Sequence, residues 1–255
     1  MNKISAALKP ALNFVLPPRC VSCGVILGGE NSFCVDCWSK MYFVAPPFCA
    51  SCGLPLPFET DNTQQCGECL TNPPRHDGIK AVAAYCDISR QVILKLKHGG
   101  KIGLAELVAR QLIRHLPENS SDCLAVPVPL HWSRLWARSF NQSALIAKSL
   151  AEMSSVSFAP DLLRRVRRTD LLRGKSQKER RKEVARAFEV SGKWEQRVSG
   201  RNILLIDDVY TTGATSDACV KCLKAAGAAT VTIYCWARVL PDENIDHSRL
   251  ETSLA

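Results

Sequence analysis

ILLIDDVYTTGAT, residues 203–215, packs an apolar run, two adjacent acids and a small, hydroxyl-rich turn into thirteen positions. Ile203 to Ile206 have the continuous apolar character of a parallel strand buried on both faces. Asp207 and Asp208 emerge where the run stops, and two neighbouring carboxylates are costly near a core unless they accept hydrogen bonds or face a cation. Thr211, Thr212, Gly213, Ala214 and Thr215 then lead into a helical pattern. Successive backbone N–H groups in such a turn can enclose a phosphate at the positive end of the helix, with threonine hydroxyls as further donors. The stretch is neither a GxGxxG fingerprint nor a GxxxxGK[ST] loop, which disfavours dinucleotide binding and nucleotide triphosphate hydrolysis.

Outward from this stretch, short apolar runs alternate with helical periods. IKAVAAYC (79–86), LAVPVPL (124–130), NILLIDDV (202–209) and TVTIYCWARVL (230–240) predict strands, and 88–97, 103–116, 139–153 and 215–226 predict helices. That alternation specifies an α/β fold with a parallel sheet covered on both faces, in which ligands bind beyond the carboxyl ends of the strands. Trp132, Trp136 and Phe140, spaced by four, read as one packed helix face.

The first 75 residues are different in kind. Eight of the thirteen cysteines form four CxxC pairs, Cys20/Cys23, Cys34/Cys37, Cys49/Cys52 and Cys66/Cys69. A two-residue spacer lets a tight turn present both sulfurs to one tetrahedral ion, and two such knuckles close a Cys₄ zinc site with no position left for substrate. Two consecutive structural Zn²⁺ ribbons are expected, with sequential pairing favoured over interleaved. Disulfides and thioredoxin-like redox sites are the weaker alternatives. Cys86, Cys123 and Cys235 stand alone as buried residues, and Cys219 and Cys222 read as core positions of a helix. The expected organisation is a ribbon module with a short N-terminal helix over 1–75, the α/β unit over 76–245 and a tail over 246–255.

The chain carries 33 Lys and Arg against 24 Asp and Glu, and the excess is concentrated. Residues 164–186 hold eleven basic residues against Asp170, Glu179 and Glu183, a patch suited to a phosphate-rich ligand or nucleic acid. No signal peptide is read at the start, and no apolar run approaches the roughly 18 residues of a membrane span. The expected location is the cytoplasm, without membrane insertion.

The strand, acidic pair and TTGAT turn resemble the phosphoribosyl diphosphate signature of the type I phosphoribosyltransferases. AVPVPLHWSRLWARSFNQSALIAKSLA (125–151) is similar to the VPVP strand and RGFNQ helix start of the competence protein F family (ComF, also called GntX-like), and Tyr85, Arg90, Leu96, Lys97 and Gly100 resemble its Y…R…LKYxG element. With the cysteine module in front, the likeness covers nearly the whole chain. It implies that Asp207 and Asp208 hold the ribose 2′ and 3′ hydroxyls of 5-phosphoribosyl 1-diphosphate, and that Thr211 to Thr215 hold its 5′-phosphate. It further implies that the turn at Pro129 and Leu130 faces the diphosphate with its Mg²⁺, that Arg138 contacts the same group, and that a long loop over 163–186 closes above it. Ser139 departs from the glycine usual in RGFNQ, and Leu172 from the glutamine of many relatives.

Two functions follow. One is transfer of ribose 5-phosphate to a nitrogenous acceptor; the other is a non-catalytic role in competence DNA uptake or single-stranded DNA handling, with a competence helicase-type protein as partner. The cysteine pattern makes the most direct prediction. Purified protein should carry close to two zinc ions per chain by elemental analysis, and Cys20→Ser or Cys66→Ser should destabilise the ribbon module, since a structural zinc contributes about 10–16 kcal/mol. A stoichiometry near zero with intact thiols would overturn the ribbons.

Overall fold

The computed structural model describes residues 16–57, 63–98, 102–132, 135–136, 139–166 and 187–241. The expected N-terminal helix within 1–15, Gly100, Arg138, the basic stretch beyond Val166 as far as Arg186 and the tail 246–255 lie outside the described residues.

Five parallel strands make the sheet: β1 (Gly78–Ala84), β2 (Cys123–Pro127), β3 (Ser157–Phe158), β6 (Asn202–Tyr210) and β7 (Thr230–Arg238), in the order β1-β7-β6-β2-β3. β6 is central, and Ile203 to Ile206 are buried on both of its faces. On one side of the sheet lie α3 (Asp87–His98), α4 (Leu104–Leu112) and α5 (Gln142–Glu152), whose Leu96, Leu112, Ile146 and Leu150 pack against Leu204, Ile206 and Trp236. On the other side lie α7 (Ala214–Ala225), the antiparallel pair β4 (Leu163–Arg165) and β5 (Phe188–Val190), and the short α6 (Glu195–Val198), packed on Ile203, Leu205 and Ile233. From β2 the chain passes through α5 to β3, away from the centre, whereas β6 passes through α7 to β7 in the opposite direction. The crevice between β2 and β6 is therefore the topological switch point, where open α/β sheets bind their ligands.

Several expectations are corrected. Trp132 and Trp136 do not form a packed face: they are 63% and 83% exposed, because no described element covers that turn. Cys86 is half-buried, and so is Cys222, whereas Cys123, Cys219 and Cys235 are buried as expected. α5 starts at Gln142 rather than 139, because the Asn141 side chain accepts from the Ser143 N–H and ends the preceding turn as an N-cap. α4 stops at Leu112 and tightens into a single 3₁₀ turn over Ile113–His115.

The cysteine module folds as two ribbons. Cys20, Cys23, Cys34 and Cys37 form one cluster, and Cys49, Cys52, Cys66 and Cys69 the other, with the four sulfurs of each within 4.8 Å of one another. In each cluster the second pair is carried by a short helix, α1 (Val35–Ser39) or α2 (Gly67–Thr71), that begins just after Cys34 or Cys66. The sulfurs of Cys23 and Cys34 are 3.6 Å apart and those of Cys52 and Cys66 3.8 Å. A tetrahedral ion at the usual zinc–sulfur length requires about 3.8 Å between ligands, so both clusters fit Zn²⁺. Backbone N–H groups of Cys34 and Cys66 point at the sulfurs of Cys20 and Cys49, at 3.3 and 3.2 Å, and favour the thiolates that a metal needs.

The ribbons are seated on the sheet. The segment between them runs antiparallel to the outer strand β1, with Val44 N–H donating to Val82 O at 3.0 Å and Ala84 N–H to Tyr42 O at 2.8 Å. Phe33 stacks on Trp236 at 6.3 Å between ring centroids, and Arg238 donates to the carbonyl of Cys52. Gly53 turns the second knuckle at φ +68°, so close to β1 that an added Cβ would stand 2.5 Å from Ile79 O. Gly53→Ala should therefore cost the second ribbon about 2–5 kcal/mol, combining left-handed backbone strain with overpacking. Competition with a chelator measures this as faster metal release at unchanged melting of the α/β unit, and release at the native rate would show that the contact is loose.

Candidate functional site

The acid pair sits at the mouth of the β2/β6 crevice. β2 leaves β6 after Pro127 pairs with Ile206, and the last link is the Val128 N–H donating to Ile206 O at 2.9 Å. β7 continues alongside β6 as far as Tyr210. Asp207 and Asp208 thus lie inside the strand, within the 202–209 bounds expected for it, freed on the β2 side only. Asp208 is buried and Asp207 half-buried.

Three elements supply donors to this pair. Lys97 on α3 lies 2.8 Å from Asp208 Oδ2, and Gln142 Nε2 at the start of α5 donates to the same oxygen at 3.3 Å. Ser143 Oγ donates to Asp207 Oδ1 at 3.3 Å, and the Asp208 N–H donates to that oxygen at 2.8 Å. Desolvation, and then the adjacent charge of Asp208, hold the Asp207 carboxyl above the usual carboxylate range. Within each carboxylate the protein engages one oxygen; Asp207 Oδ2 and Asp208 Oδ1 meet no donor among the described residues. The Gln142 carbonyl oxygen, also buried, has no partner among the described residues.

The turn after the strand exposes Thr211 and Thr212 and leaves Ala214 and Thr215 half-buried. Gly213 is the N-cap of α7 at φ +75°, and a Cβ there would collide with the Tyr210 hydroxyl. Only glycine keeps both the left-handed turn and the tyrosine in place. The first turn of α7, twelve residues long, has no side-chain cap, so its N–H groups carry the positive end of the helix. Pro129 and Leu130, half-buried, follow β2 across the crevice, and Asn141 Nδ2 ties the start of α5 to Val128 O at 3.0 Å. A cleft of about 770 Å³ opens behind the turn, between the second ribbon and α7, bordered by Glu68, Arg75, His76, Tyr210, Thr212 and Asp217.

The signature acids, the TTGAT turn and the end of the VPVP strand are thus brought to one crevice, while Arg138 lies outside the described residues. Asn141, Gln142 and Ser143 belong to the FNQS stretch, whose residue types carry no role on their own. Lys97 is one of 33 basic residues, and no spacing marks it as the partner of Asp208.

Comparison with known proteins agrees with both parts of the chain. Residues 11–70 match the family described as double zinc ribbon domain, and residues 151–247 the phosphoribosyl transferase domain. The DNA utilization protein YhgH of Escherichia coli O157:H7 is 32% identical over 181 residues, 69% of this chain and 78% of that protein. Competence protein F of Haemophilus influenzae is 28% identical, over 69% of this chain and 79% of that protein. The solved structure of the allosteric regulatory enzyme of purine biosynthesis superposes with a TM-score of 0.38 at 18% identity, over 56% of this chain and 29% of that one.

Ser139 makes the turn into α5 at φ +62°, a left-handed conformation that explains why glycine suits this position. Relief of about 1–2 kcal/mol of strain outweighs the 0.5–1 kcal/mol that glycine loses in backbone entropy. Ser139→Gly should therefore stabilise the fold by up to about 1 kcal/mol in denaturant unfolding, and a loss of stability would show that the hydroxyl holds the turn.

Proposed function

The chain belongs to the ComF/GntX-like family, a double zinc ribbon followed by a phosphoribosyltransferase-like unit, and from that premise we propose that it binds 5-phosphoribosyl 1-diphosphate in the β2/β6 crevice. One observation carries the reading: among the described residues each acid of the pair has one oxygen engaged and one that meets no donor, so Asp207 and Asp208 together present two adjacent acceptors. A vicinal diol such as the 2′ and 3′ hydroxyls of ribose offers two adjacent donors to match. The 5′-phosphate then occupies the turn of Thr211, Thr212, Gly213, Ala214 and Thr215, against the N–H groups that open α7. The diphosphate extends toward Pro129 and Leu130, with Arg138 as its basic contact. Mg²⁺, when bound with the diphosphate, supplies neutralisation of leaving-group charge.

Ribose 5-phosphate transfer is the reaction that this arrangement suits. An acceptor nitrogen gives its lone pair to the anomeric carbon, the bond from that carbon to the diphosphate oxygen breaks, and the acceptor's proton leaves to solvent or base. The acids hold the sugar while positive charge develops on its ring, and the crevice excludes water from the reacting carbon. The chain works on this reading as a cytoplasmic protein, its ribbon module ending near residue 75 and its transferase-like unit running over 76–245.

A second reading has its own observation. Trp132 and Trp136 are exposed beside the VPVP turn, and exposed aromatics are stacking platforms for unpaired bases. A non-catalytic role in single-stranded DNA handling, alongside a competence helicase-type partner, would use that surface together with the basic stretch after β4.

A calorimetric titration with phosphoribosyl diphosphate and Mg²⁺ tests the first reading. Asp207→Asn combined with Asp208→Asn should weaken binding about 100-fold or more, because two charge-assisted hydrogen bonds are each worth roughly 1.5–3 kcal/mol. Equal affinity in the double variant would place the ligand elsewhere.

A further inference from the structure

Lys97 is half-buried at the end of α3, in a helix fixed by the buried Val92, Ile93 and Leu96, and its ammonium reaches into the crevice to Asp208 Oδ2 at 2.8 Å. Among the described residues it makes the acid pair's one ion pair. The other donors to the acids, Gln142, Ser143 and the Asp208 N–H, are neutral. The titratable groups facing the pair from the other elements are the thiols of Cys219 on α7 and Cys235 on β7, which burial keeps protonated.

We propose that Lys97 is a positioning residue for this site: a resident cation that fixes Asp208 with Oδ2 turned inward and Oδ1 presented to a sugar hydroxyl, and that offsets the charge with which two bare carboxylates would repel a polyanionic ligand. The inference rests on the phosphoribosyl reading above and adds a residue to it. Gln142 donates to the same oxygen from a second helix, so Oδ2 is gripped between α3 and α5 and the carboxylate is held in a single orientation. A neutral donor could orient the group equally well. The ammonium does more, because two adjacent carboxylates beside a sugar that carries phosphate at one end and diphosphate at the other need a fixed positive charge before the ligand arrives. Lysine is suited to this position because its stem packs along the helix and its charge sits on one atom.

The test is a double-mutant cycle read by titration calorimetry with phosphoribosyl diphosphate and Mg²⁺, on the full chain, with thermal melts to establish that each variant is folded. Lys97→Met should weaken binding about tenfold or more, and Lys97→Arg should restore it to within about threefold of the native value. In an Asp208→Asn background, Lys97→Met should cost less than about twofold further, because the lysine acts through that carboxylate. Should Lys97→Met not fold, Lys97→Gln serves the same comparison, keeping a donor while removing the charge. Native-like affinity in folded Lys97→Met or Lys97→Gln, or an equal loss with and without Asp208, overturns the assignment. Failure of the native protein to bind the ligand removes the phosphoribosyl reading itself, an outcome distinct from intact binding that ignores Lys97.

Discussion

Two neighbouring carboxylates in the central strand of a buried sheet are the constraint around which this molecule is arranged. Two like charges cannot satisfy each other, and one acid is buried and the other half-buried, so three separate elements deliver donors to them. α3 brings a cation, α5 brings an amide and a hydroxyl, and β6 turns its own N–H back on the first acid. The start of α5 can do this because Asn141 caps the helix and also grips the carbonyl of Val128 at the end of β2. The left-handed turn at Ser139 feeds the chain into that cap. Strand ends, helix starts and the acid pair form one connected hydrogen-bonded unit, and its geometry is set before any ligand enters.

The ribbons belong to the same construction. A small module with eight thiols cannot bury much apolar surface by itself, and it borrows from the sheet: Val21 and Met41 join the core formed by Val82, Leu96 and Trp236. Lys95 and Lys97, two residues apart on α3, face opposite duties, the first donating to the carbonyls of Val21 and Ser22 in the first ribbon and the second pairing with Asp208. Arg238, at the end of β7, reaches the carbonyl of Cys52 in the second ribbon and lies over the ring of Tyr210, just before the TTGAT turn.

Much of this was legible in the residues. The long periodic elements, α3 and α7 and the strands around Ile203 and Ile233, fall within a residue or two of where apolar spacing puts them, and the CxxC pairs group in sequence order. β3, β4, β5 and α6 are too short to have a period, and their positions come from what they pack against. A spacing of four makes Trp132 and Trp136 look like a buried face, but periodicity says only that residues share a side and not that anything covers it. The acid pair falls within the 202–209 strand that the sequence predicts, but that β7 stays paired beside it as far as Tyr210 is a property of the neighbouring strand. Lys97 and Asp208 meet through the path of the whole chain, which no local pattern encodes.

The segment from Tyr42 to Val44 pairs with β1, the outer strand of the sheet, and Gly53 presses the second knuckle against the same strand. An uncovered outer strand presents unpaired N–H and C=O groups to any passing chain, and β1 reads GIKAVAA, apolar and nearly uncharged. The two metal clusters flank the segment that shields it. The residues that hold the metal ions therefore also hold the cover over the margin of the sheet, so that the ribbons serve the sheet as its edge protection as well as being seated on it.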